Sequence, residues 1–409
     1  MSGAIATRSQ RSLTTVDDAL RRILDHVAPL PTERVAIGAA LGRVLAEDVQ
    51  AAHALPGCDN SAMDGFAVRA ADCRSAPLSL PVAAESRAGM APPRHSPGTA
   101  TRISTGAPLP AGADSVIPLE MTDDNGVSVT LHVSVDDGSN VRRVGEDARP
   151  GDLMVHRGAR LRAVDIGVLA AAGRHWVEVH RRPVVAVIAG GDELVAAGSA
   201  PLPHQVTDSN TPLLAAAIRE AGGEPLAAAH AADDRDAVRN ALHDAASRSD
   251  LVLSSAGVSV GGHDHVCAVV EELGEVMVWG VAMRPGKPLL AGRLGGTTVL
   301  GLPGNPVSAA VCFEVFARPA LLALQGATTP VSPRVAVRTA ETIEAPRRLE
   351  TYVRVALQPG NDGVPLARPS GGQGSAMLRP LAAADALLIV PAGIDHIVGG
   401  NIATAIPLR

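Results

Sequence analysis

Val16, Ala19, Leu20, Ile23, Leu24 and Val27 recur at the three- and four-residue spacing of one helix face, which predicts an amphipathic helix near the start of the chain. Thr15 stands where its hydroxyl can cap the first turn, and Asp17 and Asp18 suit the positive end of the helix dipole. A second helical stretch is expected over roughly Gly38 to Glu47, so the chain opens with a helical N-terminal layer. From about Leu55 to Val144 the pattern changes to short strands and turns. Val127, Val129, Leu131, Val133 and Val135 alternate with Ser128, Thr130, His132 and Ser134, the period of a half-buried strand. Asp123-Asp124-Asn125-Gly126 before it and Asp136-Asp137-Gly138 after it are turn signals. Helical spacing resumes at Val164 to Ala172. The reading is a discontinuous N-terminal domain, residues 1–54 with 145–180, carrying an inserted small β domain at 55–144.

Residues 183–324 then alternate strand and helix. Strands are expected at Val184–Ile188, Pro225–Ala229, Leu251–Ser254, Val276–Val278 and Thr298–Leu302, with helices at Leu213–Ala221, Arg235–Ser247, Val266–Leu273 and Ser308–Phe316. Such alternation implies a mostly parallel sheet with helices on both faces, assigned to 181–326. After the linker Gly326-Ala327-Thr328-Thr329-Pro330, short strands return at Val335–Thr339, Tyr352–Leu357 and Ala386–Val390, giving a C-terminal β domain at 327–409. The fold class expected is therefore α/β plus β in a multidomain chain. No internal repeat is evident.

Composition narrows the function. With 409 residues the chain exceeds one ordinary core. Aromatics are limited to three Phe, two Trp and one Tyr, too few for the stacking platforms of single-stranded nucleic-acid binders. A net charge of -6 leaves no basic footprint for DNA or RNA. Cys58, Cys73, Cys267 and Cys312 form no CxxC pair and no zinc spacing, which fits free thiols in a reducing cytosol. The first twelve residues carry no apolar segment of a signal peptide. Val307 to Leu324 is interrupted by Glu314, Arg318 and Pro319, against a membrane span. A cytoplasmic protein is expected.

Three predicted strands run into loops richer in glycine and polar residues than a turn needs. They are Ala189-Gly190-Gly191-Asp192-Glu193, Ser255 to Gly262, and Pro303-Gly304-Asn305-Pro306-Val307-Ser308. In a parallel sheet all three leave the carboxyl edge, where open α/β folds bind ligands. Glycines admit close backbone approach, and helix N-termini favour anions. Neither GxGxxG nor GxxxxGK[ST] is present. The expectation is a phosphate-bearing ligand. Asp192, Glu193, Asp233, Asp234 and Asp264 supply oxygen donors on the same edge, a set that suits Mg²⁺, although helix capping also accounts for Asp233 or Asp234. Lys287 is the only lysine in the chain and lies between glycine and prolines in Arg284-Pro285-Gly286-Lys287-Pro288. A compact ammonium there can serve where an arginine fork would not. In the β domain, the runs Cys58 to Val68 and Arg102 to Pro110 can hold an oxyanion or a metal-bound carboxylate, and turn chemistry explains each alone equally well.

Together these runs make the chain resemble the molybdopterin molybdenumtransferase family, the bacterial MoeA proteins and the gephyrin E domain. The matching segments are Asp59 to Gly65, Thr105-Gly106-Ala107-Pro108, Gly145-Glu146-Asp147, Gly191-Asp192-Glu193, Asp208-Ser209-Asn210, Gly257 to Gly261, Pro285-Gly286-Lys287-Pro288 and Gly301 to Ser308, in family order. The resemblance implies an elongated four-domain homodimer whose site lies between the α/β domain of one subunit and the β domain of the other. It implies Mg²⁺-dependent insertion of molybdate into adenylylated molybdopterin with release of AMP, and a molybdopterin adenylyltransferase as partner. By motif, Asp64, Thr105, Asp147, Glu193 and Asp264 would be catalytic. Glu193, Asp233 and Asp264 would hold the metal. Lys287, Arg284, Ser259, Pro303, Asn305, Pro306, Arg354 and Ser375 would bind substrate.

The chain departs from the family pattern at Gly190, where a hydroxyl is missing, and at Ala256, His265 and Gly280. Gly280 and Arg284 stand where the family often has lysines. These departures leave two alternatives in view, a non-catalytic carrier or scaffold and a molybdopterin adenylyltransferase sharing only the α/β module.

Overall fold

The structure, a computed structural model, describes residues 12–227, 229–255 and 265–408. The first helix forms as its spacing predicts, over Val16–Leu24, with the Thr15 hydroxyl accepting from the Asp18 amide at 3.3 Å. Its apolar face, Val16, Ala19 and Ile23, is buried in the core of the α/β region. The helix expected over Gly38–Glu47 does not form. A 3₁₀ turn at Ile37–Ala39 is followed by a turn and the isolated bridges Val44–Arg160 and Leu45–Val179, because tertiary partners take the amides. Gly42 N–H donates to Leu161 O (2.8 Å), Leu45 N–H to Ala159 O (3.0 Å) and Ala46 N–H to Glu178 O (2.9 Å). This N-terminal layer is consequently mixed. Strand Thr32–Ala36 pairs antiparallel with Trp176–His180, Val49–Gln50 pairs with Leu153–Val155, and helix Ala163–Ala171 covers them. Leu45, Val49, Leu161, Leu169, Val177 and Val179 fill the space between, so segments from both ends of the insertion share one core.

The inserted segment is a six-stranded sheet in the order Ser115–Pro118, Gly65–Val68, Ala100–Ile103, Leu78–Ser86, Ser128–Leu131, Thr122–Asp124. The alternation expected from Val127 to Val135 survives as a strand only over Ser128–Leu131, where Val129 and Leu131 are buried. Phe66, Leu80 and Ile117 complete that core.

The α/β region is a seven-stranded sheet. Glu224–Pro225, Val184–Gly190, Leu251–Ser255 and Thr297–Leu302 run parallel, with Ala229–Ala231 also pairing on Val184–Gly190. Leu290–Leu294, a strand the sequence reading did not anticipate, returns antiparallel to Thr297–Leu302, and Glu275–Trp279 pairs antiparallel to it at the edge. Helices Asn210–Glu220 and Pro306–Cys312 cover one face, Arg235–Arg248 and His265–Leu273 the other. The apolar run Pro306–Leu324 passes through a π-helical turn at Phe313–Ala317 and lies mostly buried in the core, as an interior helix does. Its charges are paired, with Arg318 bridging both oxygens of Glu314 at 2.6 and 2.8 Å.

Beyond it, Glu350–Gln358, Leu366–Pro369, Val335–Thr339, Ile402–Pro407 and Ala386–Val390 close into a five-stranded barrel. Tyr352, Leu387, Ile389 and Ile406 from the barrel enter the same core as the helices of the α/β region, fixing one on the other.

Candidate functional site

Register sets the site's floor. Ala189 pairs with Ser255, and Ser255 with Leu302, so the three loops leave the parallel strands at one level. In the first loop the Asp192 carboxylate accepts the Asp233 amide at 3.3 Å, while His230 Nε2 lies 3.1 Å from the Gly191 carbonyl. Asp192, Glu193 and Asp233 are thereby drawn to one edge. Asp234 caps helix Arg235–Arg248, accepting from the Ala237 amide at 2.9 Å. Among the described residues, no group of three or more His, Cys, Asp or Glu side chains could hold a metal ion. Asp264, assigned with Glu193 and Asp233 to that role, lies outside the described residues, as do Ser259 and Ala256. Among the described residues, the carboxylates of Asp192, Glu193 and Asp233 stand at this edge beside the His230 ring, and oxygen donors of that kind suit a hard cation that takes one or two carboxylates and keeps its waters.

The third loop carries Pro303, buried, then Gly304 and Asn305, exposed, before Pro306 opens helix Pro306–Cys312 at its first turn. The C-terminal barrel closes over this helix end: Val307 N–H donates to Ser375 O at 3.0 Å. Arg354 holds that barrel loop from beneath. Its guanidinium is 1% exposed and donates to Gly374 O (3.1 Å) and Gly372 O (2.9 Å). Burial pulls its pKa below the ordinary guanidinium value. Gln373 adds a bond from the Arg354 amide (3.0 Å). Arg354 therefore shapes the loop that presents Ser375, and its two carbonyl bonds turn it inward.

Lys287 reaches the same edge from the side. Leu290 pairs with Gly301, near the carboxyl end of Thr297–Leu302, and Lys287 lies just before it. The loop is tied by Val281 N–H to Lys287 O (2.9 Å) and Gly280 N–H to Leu289 O (2.8 Å), and Lys287 is exposed. Gly280 has φ +82°, a conformation a lysine would adopt only under strain, so here the family's basic position has become a turn. Arg284 points elsewhere. Its strand, Met283–Arg284, pairs with Glu350–Thr351, and Arg284 lines a cavity of about 680 Å³ with Thr342, Glu344, Asp395 and His396 of the C-terminal region.

A second cluster forms in the inserted β sheet. The Thr105 amide donates to Asp64 Oδ1 at 2.7 Å, uniting two of the residues expected to act together. Asp59 accepts from the Val144 amide and from Arg143 Nη1, both at 2.8 Å, and these bonds hold its carboxyl below the usual carboxylate range. Asp147 is exposed on the adjoining segment, its amide bound to Leu55 O at 2.9 Å. These partners all lie within residues 55–148, and the sheet rests on its own core.

Asn210 and Ser255 escaped the sequence reading as site residues. Asn210 Nδ2 donates to Ser255 Oγ and to Gly304 O, both at 2.7 Å, joining two of the edge loops. The run Asp208-Ser209-Asn210 was a motif match, and only the fold shows which side chain in it crosses to the other loops.

Comparison with known proteins covers nearly the whole chain. Residues 14–173 match the MoeA N-terminal region (domain I and II), 186–323 the probable molybdopterin binding domain, and 336–408 the MoeA C-terminal region (domain IV). Molybdopterin molybdenumtransferase 2 of Mycobacterium tuberculosis is 39% identical over 377 residues, spanning 88% of this chain and 91% of that protein. The molybdopterin molybdenumtransferase of Bacillus subtilis is 34% identical over 410 residues, spanning 98% and 95%. The molybdopterin biosynthesis MoeA protein of Pyrococcus horikoshii OT3 superimposes with a TM-score of 0.82 at 27% identity, over 97% of this chain and 100% of that one.

Proposed function

The chain belongs to the MoeA family of molybdopterin molybdenumtransferases, and on that premise we propose that its carboxyl-edge loops hold adenylylated molybdopterin while molybdate is inserted and AMP released. It is a transferase of molybdenum cofactor biosynthesis. The observation that carries the finer reading is the convergence of Glu193, the Pro303–Pro306 turn, the Ser375 loop and Lys287 on one sheet edge. Helix N-termini and a free ammonium there favour the phosphates of an adenylylated ligand and the molybdate anion. Ser259, in the loop after Ser255, extends the same edge. Glu193, with Asp233 and Asp264, would hold Mg²⁺, which when bound neutralises phosphate charge. Pro303, Asn305 and Pro306 supply a rigid wall, and Arg354 keeps the Ser375 loop against it. Arg284, facing the barrel cavity, belongs to the far end of the ligand path.

Asp64, Thr105 and Asp147 sit on a separate core. Their contribution is assigned to a second copy of the chain, in a homodimer whose sites are shared between subunits. The protein acts in the cytoplasm and takes its substrate from a molybdopterin adenylyltransferase.

The test follows AMP release from adenylylated molybdopterin with Mg²⁺ and molybdate. Wild-type protein should release AMP in step with molybdate consumed, and an absence of release sinks the reaction proposed. Asp64→Asn and Lys287→Ala should each be inactive. Dissociated and reassociated together, they should recover roughly a quarter of wild-type activity, since half the dimers are mixed and each keeps one intact site. No recovery would rule out the shared site.

A further inference from the structure

Asn210 opens helix Asn210–Glu220 and is 8% exposed. The Gly304 carbonyl can only accept a hydrogen bond, so it fixes which end of the Asn210 amide faces it. Both amide hydrogens are then committed, one to Gly304 O and one to Ser255 Oγ. Two consequences follow from this geometry. Ser255 is already an acceptor, so its own hydroxyl proton remains to be donated. Ser255 is 2% exposed at the carboxyl end of its strand, level with Ala189 and Leu302. Among the described residues, Asn210 Oδ1 is buried without a partner, and so is Thr211 Oγ1 beside it. A buried polar atom left unpaired costs about 1–3 kcal/mol. Of the two, the Thr211 hydroxyl can donate to a bound anion, whereas Asn210 Oδ1 can only accept.

We propose that Asn210 is a positioning residue of the anion site. Its amide makes the Ser255 hydroxyl a hydrogen-bond donor toward a phosphate or molybdate oxygen and holds the Gly304 turn at the matching distance. Without the amide, the Ser255 hydroxyl can turn its proton to the nearest carbonyl and be lost to the ligand. The effect on turnover presupposes the reaction proposed above; the hydrogen-bond coupling itself does not.

Asn210→Asp is the sharpest perturbation. A carboxylate keeps the shape of the amide but only accepts, so the Ser255 proton turns to it and away from the anion. AMP release should fall roughly 10- to 100-fold, the range seen when an outer partner no longer orients a site's ligand. The loss should appear in kcat; the carboxylate also faces the Gly304 carbonyl, so the thermal midpoint should fall, and an unchanged far-UV circular dichroism spectrum at the assay temperature shows that the fold is kept. Asn210→Ala and Ser255→Ala complete a double-mutant cycle, in which the double variant should fall no further than Ser255→Ala alone. Wild-type turnover in Asn210→Asp, or losses that multiply in the double variant, would overturn the assignment. Should wild-type protein release no AMP, the transferase reading fails separately. The same cycle is then read on equilibrium binding of adenylylated molybdopterin, where coupled losses uphold the Asn210–Ser255 unit and multiplied losses reject it.

Discussion

Gly286 is the position on which the placement of Lys287 turns. Its φ is +114°, and a Cβ added there would meet Cys312 Sγ at 2.6 Å and the Sδ and Cε of Met283 at 3.0 Å. Cys312 cannot swing aside. It is fully buried in helix Pro306–Cys312, its thiol donates to the Gly286 carbonyl at 3.7 Å, and burial raises its pKa so that it stays protonated. Gly286→Ala therefore carries two costs. Holding a side chain at that φ costs about 1–3 kcal/mol, and overpacking against sulfur costs about 1–3 kcal/mol more. A chemical-denaturation comparison should show a loss of roughly 2–6 kcal/mol, or a backbone shift that relieves part of it and moves Lys287. Cys312→Ala in the same chain removes the sulfur. The double variant should then be less destabilised than the sum of the singles by about 1–3 kcal/mol, and AMP release should partly return. Additive losses within about 0.5 kcal/mol would refute the contact. Wild-type stability in Gly286→Ala alone would refute both terms.

Lys287 itself is exposed, so Lys287→Arg should leave stability within about 0.5 kcal/mol of wild type while AMP release falls at least about 10-fold. Unchanged turnover would make the lysine incidental. Asp59 offers a pH test. Its pKa is lowered by the Val144 amide and Arg143, so its stabilising effect is present above the ordinary carboxylate value and lost as pH falls through the lower folded one. The stability gap between wild type and Asp59→Asn, measured by thermal melts, should be steady at neutral pH and shrink below about pH 4. A gap that persists unchanged at pH 3 would show that it does not come from the Asp59 charge.

The α/β alternation was legible because its signals are local: helices repeat near 3.6 residues, buried strands are short apolar runs, and glycines follow them. What failed was non-local. Gly38–Glu47 has helix-compatible spacing, yet Leu161, Ala159 and Glu178 accept its amide hydrogens, and tertiary pairing overrides a weak local preference. Leu290–Leu294 shows no alternation because it is buried on both faces, and its antiparallel direction comes from the Gly295-Gly296 turn that joins it to Thr297–Leu302. The site followed the same division. Carboxylates and glycines after strand ends were readable, whereas the bond from the Thr105 amide to Asp64 came only with the fold. The bonds that fix the loops join residues 45, 84 and 94 positions apart, as in Asn210–Ser255, Asp59–Arg143 and Asn210–Gly304. No local pattern encodes such a pairing.

The contrast between one lysine and many arginines acquires a structural reason from these contacts. Arg354 spans two loop carbonyls, Arg181 meets both oxygens of Asp250 at 2.7 and 2.6 Å, and Arg318 does the same to Glu314. Each uses the planar fork to grip two acceptors at once, which an ammonium does poorly. Among the described residues, no hydrogen bond or ion pair engages the Lys287 ammonium. Gly286, packed on Cys312, and the parallel pairing of Met283–Arg284 with the barrel hold the loop that carries it. A charge kept uncommitted on a fixed loop meets an incoming anion without first breaking a bond to the protein, and that is the property Lys287→Arg removes.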